Sequence, residues 1–92
     1  MLTLRQMRYF DALATTRHFG RAAEMVHISQ PALSTQIMEM EEYLGAKLVE
    51  RTRQSTILTP KGEEVLHYVR AILHQVDLLE QTAERAKARS KV

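Results

Sequence analysis

Gln30, Ser34 and Thr35 place one amide and two hydroxyls within two helical turns of sequence, beside Ser29, Pro31 and Ala32. An amide that both donates and accepts, flanked by short neutral groups, suits hydrogen-bond recognition of a closely approached surface. Arg51 and Arg53 follow in the polar run Arg51-Thr52-Arg53-Gln54-Ser55, where guanidinium groups on a turn suit anion recognition. Bond-breaking chemistry lacks its parts: there is no paired carboxylate, nucleophile–base pair or phosphate loop, and Gly20, Gly45 and Gly62 stand alone. His18, His27, His67 and His74 lack metal-ligand spacing and read as surface or packing residues, with His18 and His27 bracketing a short helix. An enzyme, a metal and a cofactor are therefore not expected.

The elements that must hold these residues can be read from punctuation and period. Thr3 with Gln6 forms a capping box, with Leu2 and Met7 as its hydrophobic staple. Leu4, Met7, Phe10, Leu13 and Ala14 then recur at helical spacing, and this first helix should end near Thr15 to Arg17. A short second helix fits Arg21 to Val26, entered through Phe19-Gly20, with Ala22, Ala23 and Val26 inward. Ser29 is a good N-cap for a third helix, Pro31 sits harmlessly in its first turn, and Gly45 ends it after Leu44.

The third helix has two faces. At about 100° per residue, Leu33, Ile37, Met40 and Leu44 share one stripe, while Pro31, Ser34, Thr35 and Met38 gather opposite. Its leading outer face is small and uncharged, whereas Glu39, Glu41 and Glu42 crowd the later turns. Beyond Gly45, Lys47–Glu50 and Thr56–Leu58 read as two short strands around the basic turn. Thr59 as N-cap and Pro60 as first helical residue open a long fourth helix, running to about Arg85 or beyond. Val65, Val69, Ile72, Val76, Leu79, Ala83 and Ala86 alternate steps of four and three, a heptad seam widened by Leu66 and Leu73. A helix of ~25 residues is about 38 Å long, more than so small a domain covers. Part of the seam should meet a second copy of the chain, against the alternative that it is only the domain's own core. Residues 86–92 read as a fraying end or the start of a connector.

The bulk numbers narrow the class without naming it. Ninety-two residues suit one compact domain, too small to enclose a deep substrate cavity. A net charge of +2 permits an anionic partner without requiring one. With no cysteine, disulfides and thiolate sites are excluded from this stretch. No apolar run approaches the ~20 residues of a membrane span, and Met1 to Met7 lack a signal-peptide layout. The expectation is a cytoplasmic protein with no membrane partner.

Two helices joined by a short break and followed by a basic hairpin make up a winged helix-turn-helix. The expected fold is mainly α, three helices plus a two-stranded wing over residues 1–59, then a dimerisation helix and connector over 60–92. An uncharged helix start can enter the major groove of duplex DNA, where the base edges differ. Gln30, Pro31, Ala32, Ser34 and Thr35 are the candidate base contacts, against the plainer reading of ordinary solvent-facing residues. Arg51 and Arg53 are the wing contacts, although Arg51 could instead pair with Glu50 or an acidic residue of the third helix. Arg5, Arg8, Arg21 and Ser29 are candidates for the DNA backbone. A rival reading is a protein-interaction adaptor, which would need neither an uncharged leading face nor an arginine-bearing wing.

Five segments resemble LysR-type transcriptional regulators in order and spacing. They are Phe19-Gly20-Arg21-Ala22-Ala23-Glu24, Ser29 through Ile37, Glu41 through Gly45, Leu48 through Arg51, and Leu58 through Gly62, within a likeness covering about residues 3 to 87. The resemblance implies that Gln30, Pro31, Ala32, Ser34 and Thr35 start the recognition helix, with Arg51 at the wing's base and Arg53 at its tip. It also implies a homodimer through antiparallel linker helices, bound to an imperfect palindrome, with tetramers an option for a longer chain. Arg17-His18-Phe19 and His27 through Pro31 look most like the OxyR peroxide-sensing branch. Two positions depart from the family's common pattern: Thr35 where many members carry Arg, and Val49 where many carry Phe. Members usually continue into an effector domain, so this chain is expected to be part of a longer one.

Overall fold

A computed structural model describes residues 1–90. The order of elements is α1 (Leu4–Thr16), α2 (Phe19–Met25), α3 (Gln30–Leu44), β1 (Val49–Arg51), β2 (Thr56–Leu58) and α4 (Pro60–Ser90). The winged helix-turn-helix expected from the sequence is present. Residues 91 and 92, the last two of the expected connector, lie outside the described residues.

Local chemistry sets most boundaries. The Thr3–Gln6 capping box is complete, each side chain bonding the other's backbone N–H at 3.0 and 3.1 Å. Ser29 Oγ accepts from the Ala32 N–H at 3.2 Å, and Gly45 closes α3 with a left-handed φ of 71°. The second helix starts two residues earlier than its apolar pattern suggests, because His18 Nδ1 accepts from the Arg21 N–H at 3.1 Å and acts as its N-cap. Arg17 and His27, both at positive φ, close the turns on either side.

The strands also shift from expectation, and the reason is non-local. Lys47 and Leu48 stand outside the strand because the Lys47 C=O and the Leu48 N–H are bonded to side chains. The Thr59 hydroxyl donates to Lys47 O at 2.6 Å, while Leu48 N–H donates to a Glu41 carboxylate oxygen at 2.8 Å. Leu48 O accepts from the Thr59 N–H at 3.0 Å. Pairing is therefore confined to Val49↔Leu58, Glu50↔Ile57 and Arg51↔Thr56, antiparallel, so Arg51 belongs to a strand and not to the turn. The Thr56 N–H donates to Arg17 O at 2.9 Å, tying the turn-side end of β2 to the end of α1.

The core lies among α1, α2, α3 and the first half of α4. Phe10, Leu13, Leu33, Ile37, Met40 and Leu48 are its largest fully buried side chains. From α4 come Leu66, Val69 and Leu73, with Val65 packed at the margin. Burial of each such side chain contributes roughly 1.5–3 kcal/mol relative to exposure. Val65 and Val69, expected in the intermolecular seam, are thus taken up by the chain's own core: Val69 is only 2% exposed. The heptad pattern runs in phase with the domain for its first turns and outlasts it afterwards. Arg70 adds a brace to α1, its Nε 2.9 Å from Asp11 Oδ1 and its Nη2 3.3 Å from Thr15 Oγ1.

Beyond Leu73 the helix projects from the domain, and the molecule measures 56 × 24 × 20 Å. Ile72 and Leu79 are 40% and 68% exposed, Val76 is half-buried and Ala83 is exposed. Ile72, Val76 and Leu79, with Ala71 and Gln75, line a shallow apolar groove. Among the described residues, no helix is long and apolar enough to cross a membrane.

Candidate nucleic-acid interface

The first two turns of α3 form an open surface. Gln30, Pro31, Ala32 and Thr35 are exposed, and Met38 continues the face at 58% exposure. The opposite stripe, Leu33, Ile37 and Met40, is buried, so the helix is held by one side and offers the other. This separation follows from helical period, and it leaves the outward side free of charge for two turns.

Individual side chains differ in what they can still bond. The Ser29 hydroxyl accepts from Ala32 N–H, which leaves its own O–H free to donate to a phosphate oxygen. Thr35 Oγ1 donates to Pro31 O at 3.0 Å, so it presents lone pairs and a methyl group outward. Ser34 is half-buried, and its Oγ receives Arg51 Nη2 at 2.6 Å. Gln30 borders a cleft whose other wall is the wing turn, residues 52–55.

The wing tip is built by Thr52. Its Oγ1 accepts from the Ser55 and Gln54 N–H groups at 3.0 and 3.3 Å and donates to Ser55 O at 2.9 Å. Arg53 rides on that turn, exposed. Arg51, expected as a wing contact or as the partner of an acidic neighbour, has no acidic partner among the described residues. Its guanidinium lies 3.7 Å over the Phe19 ring and donates to Ser34. The cause is strand register: opposite Thr56, Arg51 falls beside α2 and α3 and not at the tip.

The remaining arginines divide similarly. Arg5, Arg21 and Arg53 are exposed and form no ion pair among the described residues, which leaves them available to phosphates. Arg8, expected on the DNA backbone, is turned to α4 and meets Glu80 at 3.9 Å. Helical phase explains this, since Arg8 shares with Asp11 and Thr15 the side of α1 that Arg70 of α4 also reaches. Both partners are largely exposed, and such a pair contributes little to stability. Arg17, at the end of α1, stands 3.9 Å from Glu63.

Three roles escaped the sequence reading. Phe19 serves as a platform for Arg51, Glu41 caps the start of β1, and His18 caps α2. The first two join residues far apart in the chain and leave no local pattern. The third was signalled only by the imidazole standing three residues before Arg21.

A three-helix core with an exposed, uncharged helix start beside a basic wing defines a helix-turn-helix protein of the DNA-binding class. The model of the bacterial regulatory helix-turn-helix proteins, lysR family, matches residues 4–63, and the chain belongs to that family. It is 48% identical over 84 residues to the uncharacterized HTH-type transcriptional regulator YnfL of Escherichia coli K12, covering 91% of this chain and 28% of YnfL. Identity to the transcriptional dual regulator OxyR of the same strain is 39% over 84 residues, again 91% of this chain and 28% of the relative. The chain thus spans 28% of the length of each of these curated relatives. The solved DNA-binding domain of BenM, in complex with catB site 1 DNA, superposes with a TM-score of 0.87 at 36% identity. That match covers 92% of this chain and 96% of the BenM domain.

OxyR is therefore among the relatives, yet identity to YnfL is higher. The residues that resemble the peroxide-sensing branch include three that shape turns here. Arg17 ends α1, His18 caps α2 and His27 turns the chain toward α3.

Proposed function

We propose that two copies of this chain, joined through α4, present the opening turns of α3 to successive major grooves of an imperfectly palindromic DNA duplex. The observation that carries this reading is the exposure of Gln30, Pro31, Ala32 and Thr35 on a helix whose opposite face is locked in the core. Arg53 serves the flanking backbone or minor groove, and Arg5, Arg21 and Ser29 serve phosphates. The role is non-catalytic and belongs to the cytoplasm, where such DNA resides. The division at residue 59 is one of task, since the first half of α4 is built into the same core as the DNA-binding helices. Antiparallel pairing of the α4 helices rests on likeness to the family.

The direct test is to recover bound duplexes from a random-sequence library and compare them with scrambled duplexes at two salt concentrations. Specific binding that falls steeply with salt supports the reading. Equal affinity for recovered and scrambled duplexes would sink it.

Two substitutions separate the parts of the surface. Gln30→Ala should cost about 1–3 kcal/mol on the recovered duplex and broaden the sequences selected, as expected for loss of a base contact. Unchanged discrimination would remove Gln30 from the groove. Arg53→Gln should weaken recovered and scrambled duplexes alike and reduce the slope of log affinity against log salt by ~0.9, one phosphate's share. A slope that did not change would leave the wing tip without a backbone contact.

A further inference from the structure

We infer that Arg51 is a positioning residue for base recognition, acting through Ser34 and not through a phosphate. This deepens the proposed function and rests on it. Arg51 ends β1, yet its guanidinium is stacked 3.7 Å over Phe19, the first residue of α2, and reaches Ser34 on α3 at 2.6 Å. One side chain therefore fixes the wing against both helices of the helix-turn-helix. Phe19 is a firm platform, itself buried at 7% exposure. A guanidinium carries its N–H groups in one rigid plane, so seating its carbon over Phe19 while one Nη reaches the Ser34 oxygen fixes the side chain at two points; an ammonium has no such plane.

The consequence falls on the Ser34 hydroxyl. With Arg51 donating into one lone pair, the Ser34 oxygen is held in place and its own O–H is turned toward donation. Thr35 next to it is arranged in the opposite sense, its O–H spent on Pro31 O and its lone pairs presented. Adjacent hydroxyls thus offer a donor and an acceptor, a polarity that discriminates among base edges in the major groove. Arg51 holds one half of that pattern in place.

The test uses the whole chain with Arg51→Lys, Arg51→Gln, Ser34→Ala and the double variant Arg51→Gln/Ser34→Ala. Each binds a duplex recovered from the random library and a scrambled duplex of equal composition across a salt series. Arg51→Lys and Arg51→Gln should each lose about tenfold on the recovered duplex, within the range of one good base contact. Scrambled affinity and the salt slope should stay unchanged. Ser34→Ala should lose a similar factor, and the double variant should lose no more than either single change, because both break one arrangement.

Parallel losses on both duplexes with a slope smaller by ~0.9 would show a phosphate contact and overturn the inference. Full recovery by Arg51→Lys, or additive losses in the double variant, would overturn it equally. If either Arg51 variant melts below the binding temperature, Ser34→Ala decides. That change keeps the wing and the Arg51–Phe19 stack, so unchanged discrimination in it would refute the role. If the unaltered chain fails to discriminate the two duplexes, the DNA reading itself falls, an outcome distinct from all of these.

Discussion

A Leu79→Glu chain should sediment as a monomer and bind a duplex carrying two half-sites roughly 10²- to 10⁴-fold more weakly, the factor that linked binding supplies. Leu79 is 68% exposed on the part of α4 that projects beyond the core, and with Ile72, Val76 and Ala83 it forms an uninterrupted apolar stripe. Among the described residues, Ile72, Leu79 and Ala83 are left exposed and Val76 is covered only in part. In a paired helix the substitution would bury a carboxylate from each copy in an apolar contact, which is strongly unfavourable. Because the last core residue of α4 is Leu73, the melting behaviour of the single domain should be unaffected. Sedimentation, thermal unfolding and duplex binding on the same preparation check the three statements together. A Leu79→Glu chain that remained dimeric would remove the stripe from the pairing surface. One that became monomeric but bound as tightly would remove pairing from DNA recognition.

Gly62→Ala should be the most destabilising small substitution in the domain. An added Cβ would stand 2.0 Å from Leu48 O, 3.0 Å from Leu48 C and 3.3 Å from its Cα, all backbone atoms with no rotamer to escape into. Relief requires the first turn of α4 to move away from β1. The same movement would strain the Thr59 N–H bond to Leu48 O and the Thr59 hydroxyl bond to Lys47 O. Overpacking of this kind costs about 3 kcal/mol, equivalent to a melting temperature lower by ~15 °C for a domain of this size. Thermal unfolding followed by circular dichroism measures it directly. A loss of only a degree or two would mean that α4 and β1 separate easily, contrary to the close approach described above.

What could be read from the chain alone followed the range of each interaction. Caps formed by neighbours in sequence were legible: Thr3 with Gln6, Ser29 before Pro31, Gly45 after Leu44, and Thr59 before Pro60. The two faces of α3 were equally plain, since helical period alone separates Leu33, Ile37 and Met40 from Pro31 and Thr35. The start of β1 was misplaced because the bonds that withdraw Lys47 and Leu48 from the ladder come from Thr59 and Glu41. For Arg51 the sequence offers a wing contact or an acidic partner, because no local pattern reveals that Phe19 and Ser34 will meet it. The α4 seam departs from expectation only at Val65 and Val69. Its period was right, but period cannot tell how far the domain extends, and Val69 fell inside that limit while Leu79 fell beyond it.

The continuity of α4 has a mechanical consequence. A single unbroken helix is anchored to the recognition domain through Leu66, Val69 and Leu73 and also carries the stripe at Ile72, Val76 and Leu79. No hinge separates the two halves, so in the proposed pair each copy would behave as a lever with its fulcrum at the stripe. In that pair, any signal that altered the crossing of the two helices would be converted into a new distance between the two α3 helices. Spacing between half-sites, and not only their sequence, would then be a quantity that this protein measures.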